Sequence, residues 1–180
     1  MTTRTYKYYW EDFPVGKIRE FGSYAVTAEE IMDFAKKFDP QPFHLSEEAG
    51  KASLFGGLCA SGWHTCAMAM RMMCDEYMLD SSSLGSPGID NLRWLKPVFP
   101  GDTGTTTSTV TGLKQKSNGK TGVVYVNSVG KNQHGHVVLD YTRWVMVNKK
   151  DESKPAPEAV TPTLPSAVGI DDLHVPTFKL

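Results

Sequence analysis

Residues 61–78, SGWHTCAMAMRMMCDEYM, form the segment from which we predict the fold of this chain. Apolar residues recur in it at helical spacing, and its charged residues come late, at Arg71, Asp75 and Glu76. A helix that is apolar nearly all round at its start is a buried helix. We expect its buried stripe to consist of Trp63, Cys66, Ala67, Met70, Met73, Cys74 and Tyr77, with Met68, Ala69 and Met72 on the flanks.

The start of this helix is also predicted by the sequence. Serine is a favourable N-cap, which places the beginning of the helix at Ser61 and Gly62. The amides of a first helical turn have no intrahelical acceptors, and here they would lie inside the protein. A glycine at this position lets another group approach closely.

The rest of the chain to residue 148 has the pattern of strands. A polar segment, DSSSLGSPG at residues 80–88, follows the helix, and Asn118-Gly119 lies between two β-rich runs, which is a strong hairpin signal. An earlier strand is expected around residues 18–26. The later strands are expected within residues 89–99, 103–116, 121–132 and 137–148.

Together these elements predict an α+β fold, a single domain in which an antiparallel sheet wraps around the long buried helix. We place this domain at residues 1–150 and an extended tail at residues 151–180, which hold five of the eleven prolines. The tail residues available to pack onto the surface or onto a partner are Leu164, Val168, Ile170, Leu173, Val175 and Phe178.

Composition limits the classes of function. The chain has 180 residues, and its 19 basic and 20 acidic residues give a net charge of −1, so we expect no nucleic-acid or membrane-surface role. No apolar run approaches the length of a membrane span, and the N-terminal residues lack the apolar core of a signal peptide. The three cysteines form no CxxC pair and are expected to be buried thiols in a reducing cytosol: Cys59, Cys66 and Cys74.

A polar motif lies before the buried helix. Thr27 and Glu30 form the capping box of a short amphipathic helix, which ends at Asp39 because a residue before proline avoids the helical region. The sequence Asp39-Pro-Gln-Pro-Phe-His44 follows directly. Residues 40–57 are otherwise expected to be irregular, with one turn at SEEAGKA.

This motif, followed by Gly62 at the start of a buried helix, resembles the MaoC-like hydratase family of hot-dog-fold proteins, which includes the (R)-specific enoyl-CoA hydratases. The resemblance covers most of residues 10–148, including LKPVFPGDT at 95–103, and does not cover the tail. Two positions depart from the family pattern. Gln41 stands where Asn is usual, and Ser61 stands where many hydratases carry His.

The resemblance implies a hydratase or dehydratase that acts on an acyl-CoA-type thioester. It assigns the acid–base pair to Asp39 and His44 and the stabilisation of an enolate oxygen to the backbone amide of Gly62, with Ser61 and Trp63 also in the substrate site. It implies no cofactor beyond the CoA of the substrate, a homodimer with its sites at the subunit boundary, and a cytoplasmic location in fatty-acid metabolism.

Two other functions on the same fold stay open. A thioesterase would use Asp39 to activate water for attack on the thioester carbonyl. A non-catalytic protein would only bind acyl thioesters, although the intact pair of Asp39 and His44 argues against it. The GxSxG, P-loop and GxGxxG motifs are absent from the sequence.

Three further histidines are predicted to have no catalytic role. His64 lies in the first turn of the buried helix, and we favour packing over a place in the site. His134 and His136 flank a glycine in a predicted turn and are expected to be solvated. Since no third ligand lies near them in the sequence, we expect no metal site.

Overall fold

One five-stranded antiparallel sheet is the framework of the protein in the computed structural model, which describes residues 5–163. The strands are β1 (Ile18–Ala25), β2 (Ser83–Trp94), β3 (Thr103–Gln115), β4 (Thr121–Lys131) and β5 (Val137–Asn148). They lie in the order β1-β3-β4-β5-β2, so β1 and β2 form the two edges. The antiparallel sheet predicted from the sequence is confirmed.

The predicted long helix, α4 (Gly62–Met73), packs against the sheet and is central to the core. Met68 of α4 belongs to one buried cluster with Leu139 of β5. Met73 belongs to a second buried cluster with Val124 of β4. The predicted arrangement of a sheet around a buried helix is therefore confirmed. No helix among the described residues is long and apolar enough to cross a membrane.

The face that α4 turns to the sheet differs from the predicted stripe, of which only Met73 and Tyr77 are buried. Trp63, Ala67 and Met70 are exposed, and the two cysteines of the stripe are half-buried. The buried residues of α4 are His64, Thr65, Met68, Ala69, Met72 and Met73. Because the helix is apolar on both sides, periodicity alone could not select the inner face, and an apolar outer face is left exposed.

Three shorter helices lie before α4. Helix α1 (Ala28–Phe38) has the predicted N-cap, Thr27, whose side chain accepts a hydrogen bond from the Glu30 amide. The second bond of the predicted capping box is not formed, because the Glu30 carboxylate accepts a hydrogen bond from the Tyr24 hydroxyl instead. The expectation of irregular structure after Asp39 is only partly right. Proline tolerates the first helical position and begins α2 (Pro42–Leu45), and Ser46 caps α3 (Glu47–Lys51).

The prediction of this strand within residues 89–99 is wrong at both ends, since β2 runs from Ser83 to Trp94. Pro87 and the glycines beside it suggested a turn. As an edge strand, β2 pairs only with β5 and shifts register at several points along the pairing. Pro87 lies within the register shift between Gly85 and Gly88, and proline is tolerated at such irregular points of an edge strand.

The predicted tail is described only as far as residue 163. Val160 and Leu113 exchange two backbone hydrogen bonds, of 2.8 and 2.9 Å, so this part of the tail is tied to β3. The boundary at residue 150 stays a prediction. Six apolar residues with a predicted packing role lie outside the described residues: Leu164, Val168, Ile170, Leu173, Val175 and Phe178.

The N-terminal segment is held by Trp10, which is buried in a short 3₁₀ turn (Trp10–Asp12). Its indole donates a hydrogen bond to the Val123 carbonyl at 3.3 Å. A Cβ at Gly122 would lie 2.2 Å from atoms of the same indole. The absence of a side chain at Gly122 therefore creates the space that Trp10 fills.

We predict that Gly122→Ala lowers the free energy of unfolding by about 1–3 kcal/mol, the usual cost of overpacking a core. The control is Gly88→Ala in β2, where a Cβ would meet no atom within 4 Å. That control should be neutral or slightly stabilising, because alanine has less backbone entropy to lose than glycine. Urea unfolding measures both variants, and equal effects would contradict the packing assigned to Trp10.

Candidate active site

The end of α1 and the start of α4 meet at one point, where a hydrogen bond joins them. Asp39, which follows α1, accepts a hydrogen bond from Ser61 Oγ at 2.6 Å. The same Oγ accepts a hydrogen bond from the Trp63 amide at 3.3 Å. Ser61 is thus the predicted N-cap of α4 and also holds the Asp39 carboxylate. The structure brings together the two halves of the site proposed from the sequence.

The Asp39 carboxylate is stabilised in its ionised form. Burial acts to raise the pKa of Asp39, but hydrogen bonds from Ser61 and Gln41 and the nearby charge of His44 outweigh burial, and the pKa is lowered. The Gln41 amide donates to Asp39 Oδ1 at 2.8 Å. Gln41, where the family usually has Asn, therefore supports the carboxylate directly.

The ring of His44 is held between a carbonyl and this carboxylate. Its Nδ1 lies 2.7 Å from the Cys59 carbonyl oxygen. Because a carbonyl oxygen only accepts, Nδ1 carries the hydrogen of this bond. The other nitrogen, Nε2, lies 3.5 Å from Asp39 Oδ2 and is available for proton exchange. His44 is only 5% exposed, so the ring has a fixed orientation.

Gly62 lies under the indole of Trp94, at the end of β2. A Cβ at Gly62 would lie 2.5 Å from Trp94 Cε2, so the position has no room for a side chain. Its amide is at the first helical position, where no intrahelical acceptor exists and the helix dipole is positive. The Trp63 ring packs edge-on against Trp94 at 5.3 Å between centroids and is 59% exposed.

All five residues assigned to the site from the sequence line one groove of about 640 Å³. The groove continues past Trp94 to Lys96 and is bordered on the other side by Leu54 and Phe55 of the loop after α3. It therefore places a carboxylate, an imidazole and a helix N-terminus in one partly apolar space. Such a set can move a proton to and from a bound molecule and stabilise negative charge on it.

Trp94 and Val98 line this groove but were not predicted to do so. Trp94 is the last residue of β2, and Val98 follows Pro97 and accepts a hydrogen bond from the Ala60 amide at 2.8 Å. The sequence showed a tryptophan within the predicted strand at residues 89–99. It did not show which element the tryptophan ring would cover.

The Cys59 side chain is close to His44 but is not an activated nucleophile. Its Sγ lies 3.7 Å from His44 Nδ1. Burial raises the pKa of the Cys59 thiol to about 11, so the group stays protonated at neutral pH. A thiolate mechanism of the kind used by cysteine hydrolases therefore has no support in this site.

The packing role predicted for His64 is confirmed. Its ring stacks on Phe34 at 4.6 Å between centroids, and its Nε2 lies 3.6 Å from Glu30 Oε1. Burial lowers the pKa of His64. His134 and His136 are exposed, as predicted. Within residues 5–163, no group of three or more His, Cys, Asp or Glu side chains is arranged to hold a metal ion.

The sequence matches a known family over most of the described chain. Residues 12–132 match the family model described as MaoC like domain. A β-methylmalyl-CoA dehydratase from Chloroflexus aurantiacus is 62% identical over 95 residues, which are 53% of this chain and 27% of that protein. A mesaconyl-CoA hydratase from Cereibacter sphaeroides is 56% identical over 111 residues, 61% of this chain and 32% of that protein. These matches span a third or less of the length of either relative.

Solved structures share the fold. A MaoC-like dehydratase from Rhodospirillum rubrum superposes with a TM-score of 0.76 at 37% identity, covering 80% of this chain and 99% of that one. An R-hydratase from Pseudomonas aeruginosa superposes with a TM-score of 0.65 at 20% identity, covering 85% of this chain and 96% of that one. The predicted hot-dog fold is confirmed by these similarities.

We predict that Ser61→Ala raises the pKa of Asp39, because the carboxylate loses a hydrogen bond that favours its ionised form. The control is Ser46→Ala, which removes the N-cap of α3 and has no contact with Asp39. Each variant should lose about 1 kcal/mol of stability through its cap. Carbon-13 NMR titration of the Asp39 carboxyl measures the pKa, and an unchanged value in Ser61→Ala would contradict this account.

Proposed function

The chain belongs to the MaoC-like domain family, and we propose that it is a hydratase or dehydratase acting on an enoyl or 3-hydroxyacyl thioester. The observation that carries the proposal is the pairing of Asp39 Oδ2 and His44 Nε2 at 3.5 Å beside the start of α4. Adding water to a conjugated double bond requires a base, an acid and an oxyanion donor, and these groups can supply all three.

In the hydration direction, Asp39 and His44 act as an acid–base pair. One of them takes a proton from water as the water oxygen bonds to Cβ of the enoyl group. The other delivers a proton to Cα, and transfer across the 3.5 Å gap restores the pair. The lowered pKa of Asp39 keeps a carboxylate ready to accept a proton at neutral pH. A well-placed group of this kind contributes about 10²–10⁴ to the rate.

The amide of Gly62 is proposed to stabilise the negative charge that develops on the thioester oxygen. This amide lies in the first turn of α4, at the positive end of the helix dipole. A single oxyanion donor of this kind is typically worth about 10²–10³ in rate. The indole of Trp94 over Gly62 and the exposed ring of Trp63 would then border the thioester.

CoA is the proposed carrier of the acyl group. The two curated relatives are, by their names, enzymes of CoA thioesters, although this chain matches only part of each. The groove is open to solvent and includes the cationic side chain of Lys96, which suits the phosphates of a CoA ligand. We place the reaction in the cytoplasm, in fatty-acid or related acyl-CoA metabolism. The three free cysteines suit the reducing environment of that compartment.

We further propose that the protein forms a homodimer through α4 and β2. The unpaired edge of β2 carries exposed Leu84 and Ile89, and the outer face of α4 carries exposed Met70. Met70 and Ile89 line the same surface cavity, so the two elements present one apolar surface. Contiguous apolar surface beside an open strand edge is typical of a protein–protein contact. The groove lies at the border of this surface, since Trp63 and Trp94 belong to the same elements.

We predict that Asp39→Asn and His44→Ala each lower the rate of crotonyl-CoA hydration at least about 100-fold, because each removes one member of the acid–base pair. Loss of the absorbance of the conjugated thioester measures the rate. The control is Asp33→Asn, which changes an exposed aspartate on α1 that pairs with Lys36 and does not line the groove. It should keep the wild-type rate.

Two outcomes separate the candidate functions, and a third tests the assigned roles. Release of free CoA with the double bond intact would identify a thioesterase instead. Tight binding without turnover across several chain lengths would identify a binding protein. A near-normal hydration rate in either the Asp39 or the His44 variant would contradict the assigned roles.

We predict that Ile89→Lys converts the dimer to a monomer, because it places a charge in the proposed apolar contact. Ile18→Lys is the matched control, since Ile18 is 61% exposed on β1, the opposite edge of the sheet. Sedimentation velocity measures the mass of each variant in solution. A monomeric wild type, or a monomer from Ile18→Lys alone, would contradict the proposed interface.

A further inference from the structure

Helix α1 is joined to the first turn of α4 at two points, and only one of them belongs to the acid–base site. At the first point, Asp39 accepts the hydrogen bond from Ser61. At the second, His64 contacts α1 through its ring and its Nε2. Ser61 and His64 are three residues apart, a spacing that places two side chains on the same side of a helix. One side of the start of α4 therefore carries both contacts.

The ring of His64 lies flat against α1. It stacks on Phe34 with an angle of 7° between the ring planes and 4.6 Å between the centroids. Its Nε2 lies 3.6 Å from Oε1 of Glu30, about one turn earlier on the same helix. The Glu30 carboxylate also accepts a hydrogen bond from the Tyr24 hydroxyl at the end of β1. Because His64 is only 4% exposed, these contacts fix its orientation.

The surroundings of His64 favour the neutral ring. Its Nδ1 is buried and has no hydrogen-bond partner within residues 5–163. A proton on Nδ1 would be buried without an acceptor, which costs free energy, whereas a hydrogen on Nε2 points toward Glu30. Burial lowers the pKa of His64 and outweighs the opposing effect of the Glu30 charge. The contact between His64 and α1 therefore does not change its charge near neutral pH.

The last turn of α1 does not position Asp39 by packing. Ala35 is the last buried residue of the helix, and three exposed residues follow it: Lys36, Lys37 and Phe38. Phe34 precedes Asp39 by five residues, which is roughly 7.5 Å along a helix. A rotation of α1 by about 8° at the His64 contact would move Asp39 by about 1 Å, and a displacement of about 1 Å can cost about 100-fold in rate.

We propose that His64 is a positioning residue for the hydration reaction, because it holds the middle of α1 against α4 and so sets the place of the Asp39 carboxylate beside the Gly62 amide. This inference rests on the proposed function. His64 does not line the groove, so it acts through Asp39 and does not contact the substrate. The ring stack supplies most of the effect, since the Nε2 contact reaches a carboxylate that is 36% exposed.

His64→Ala removes both contacts with α1. It should lower kcat for crotonyl-CoA hydration about 10- to 100-fold and change KM less than about twofold, because the residues that line the groove are unchanged. It should also raise the pKa of Asp39, since a displaced carboxylate loses part of the hydrogen bond from Ser61. Carbon-13 NMR titration of the Asp39 carboxyl in the free protein measures this pKa without any substrate.

Two further variants separate positioning from stability. His64→Phe keeps the ring that stacks on Phe34 and should keep the wild-type pKa of Asp39 and kcat within about threefold of the wild type. Val124→Ala is the stability control, because Val124 is fully buried in the core cluster that does not include α1. It should lower the melting temperature, as His64→Ala does, and leave both kcat and the pKa of Asp39 unchanged. His64→Leu fills most of the space without stacking and replaces His64→Ala if that variant does not fold.

A wild-type pKa of Asp39 in His64→Ala, or equal changes of kcat and of this pKa in Val124→Ala, would overturn the inference. A loss of kcat in His64→Phe as large as that in His64→Ala would overturn the role given to the ring stack. A wild type that hydrates no enoyl thioester would contradict the proposed function. In that case a raised pKa of Asp39 in His64→Ala would still support the positioning of the carboxylate by His64.

Discussion

The hydrogen bond between Ser61 Oγ and Asp39 is the interaction on which the site depends. It joins the end of α1 to the start of α4, so the carboxylate and the free amides of the helix are placed by a single contact. The same oxygen caps α4 by accepting from the Trp63 amide. Because one side chain makes both bonds, moving Asp39 away from the start of α4 would break a hydrogen bond to the residue that caps the buried helix.

The surroundings of this contact have different effects on the protonation of Asp39, His44 and Cys59. Hydrogen bonds keep Asp39 ionised, and the Cys59 carbonyl sets the hydrogen on Nδ1 of His44 and leaves Nε2 facing the carboxylate. Burial has the opposite effect on the Cys59 thiol beside them, since it raises that pKa and keeps the thiol inert. The Cys59 thiol, whose Sγ lies 3.7 Å from His44 Nδ1, is thus kept protonated close to an ionised carboxylate.

Much of the fold was predictable because its signals are local. Thr27 and Ser61 are side-chain caps, and Asn118-Gly119 is a turn whose geometry most residues cannot adopt, so helix starts and the hairpin followed from short segments. The inner face of α4 was not predictable, because both sides are apolar and only contact with the sheet selects Met68 and Met72 over Met70. The position of Trp94 in the groove was not predicted, for a related reason. Its place over Gly62 depends on tertiary packing that joins β2 to α4.

We propose that Asp39 and His44 add water to the β-carbon of the enoyl group and leave the thioester intact. Incubation with crotonyl-CoA in ¹⁸O-labelled heavy water, followed by mass spectrometry, tests it most directly. We expect an intact 3-hydroxyacyl-CoA that carries one ¹⁸O in its hydroxyl group and one deuterium at Cα. Free CoA together with crotonate labelled in its carboxylate would contradict this mechanism, because water would then have attacked the carbonyl.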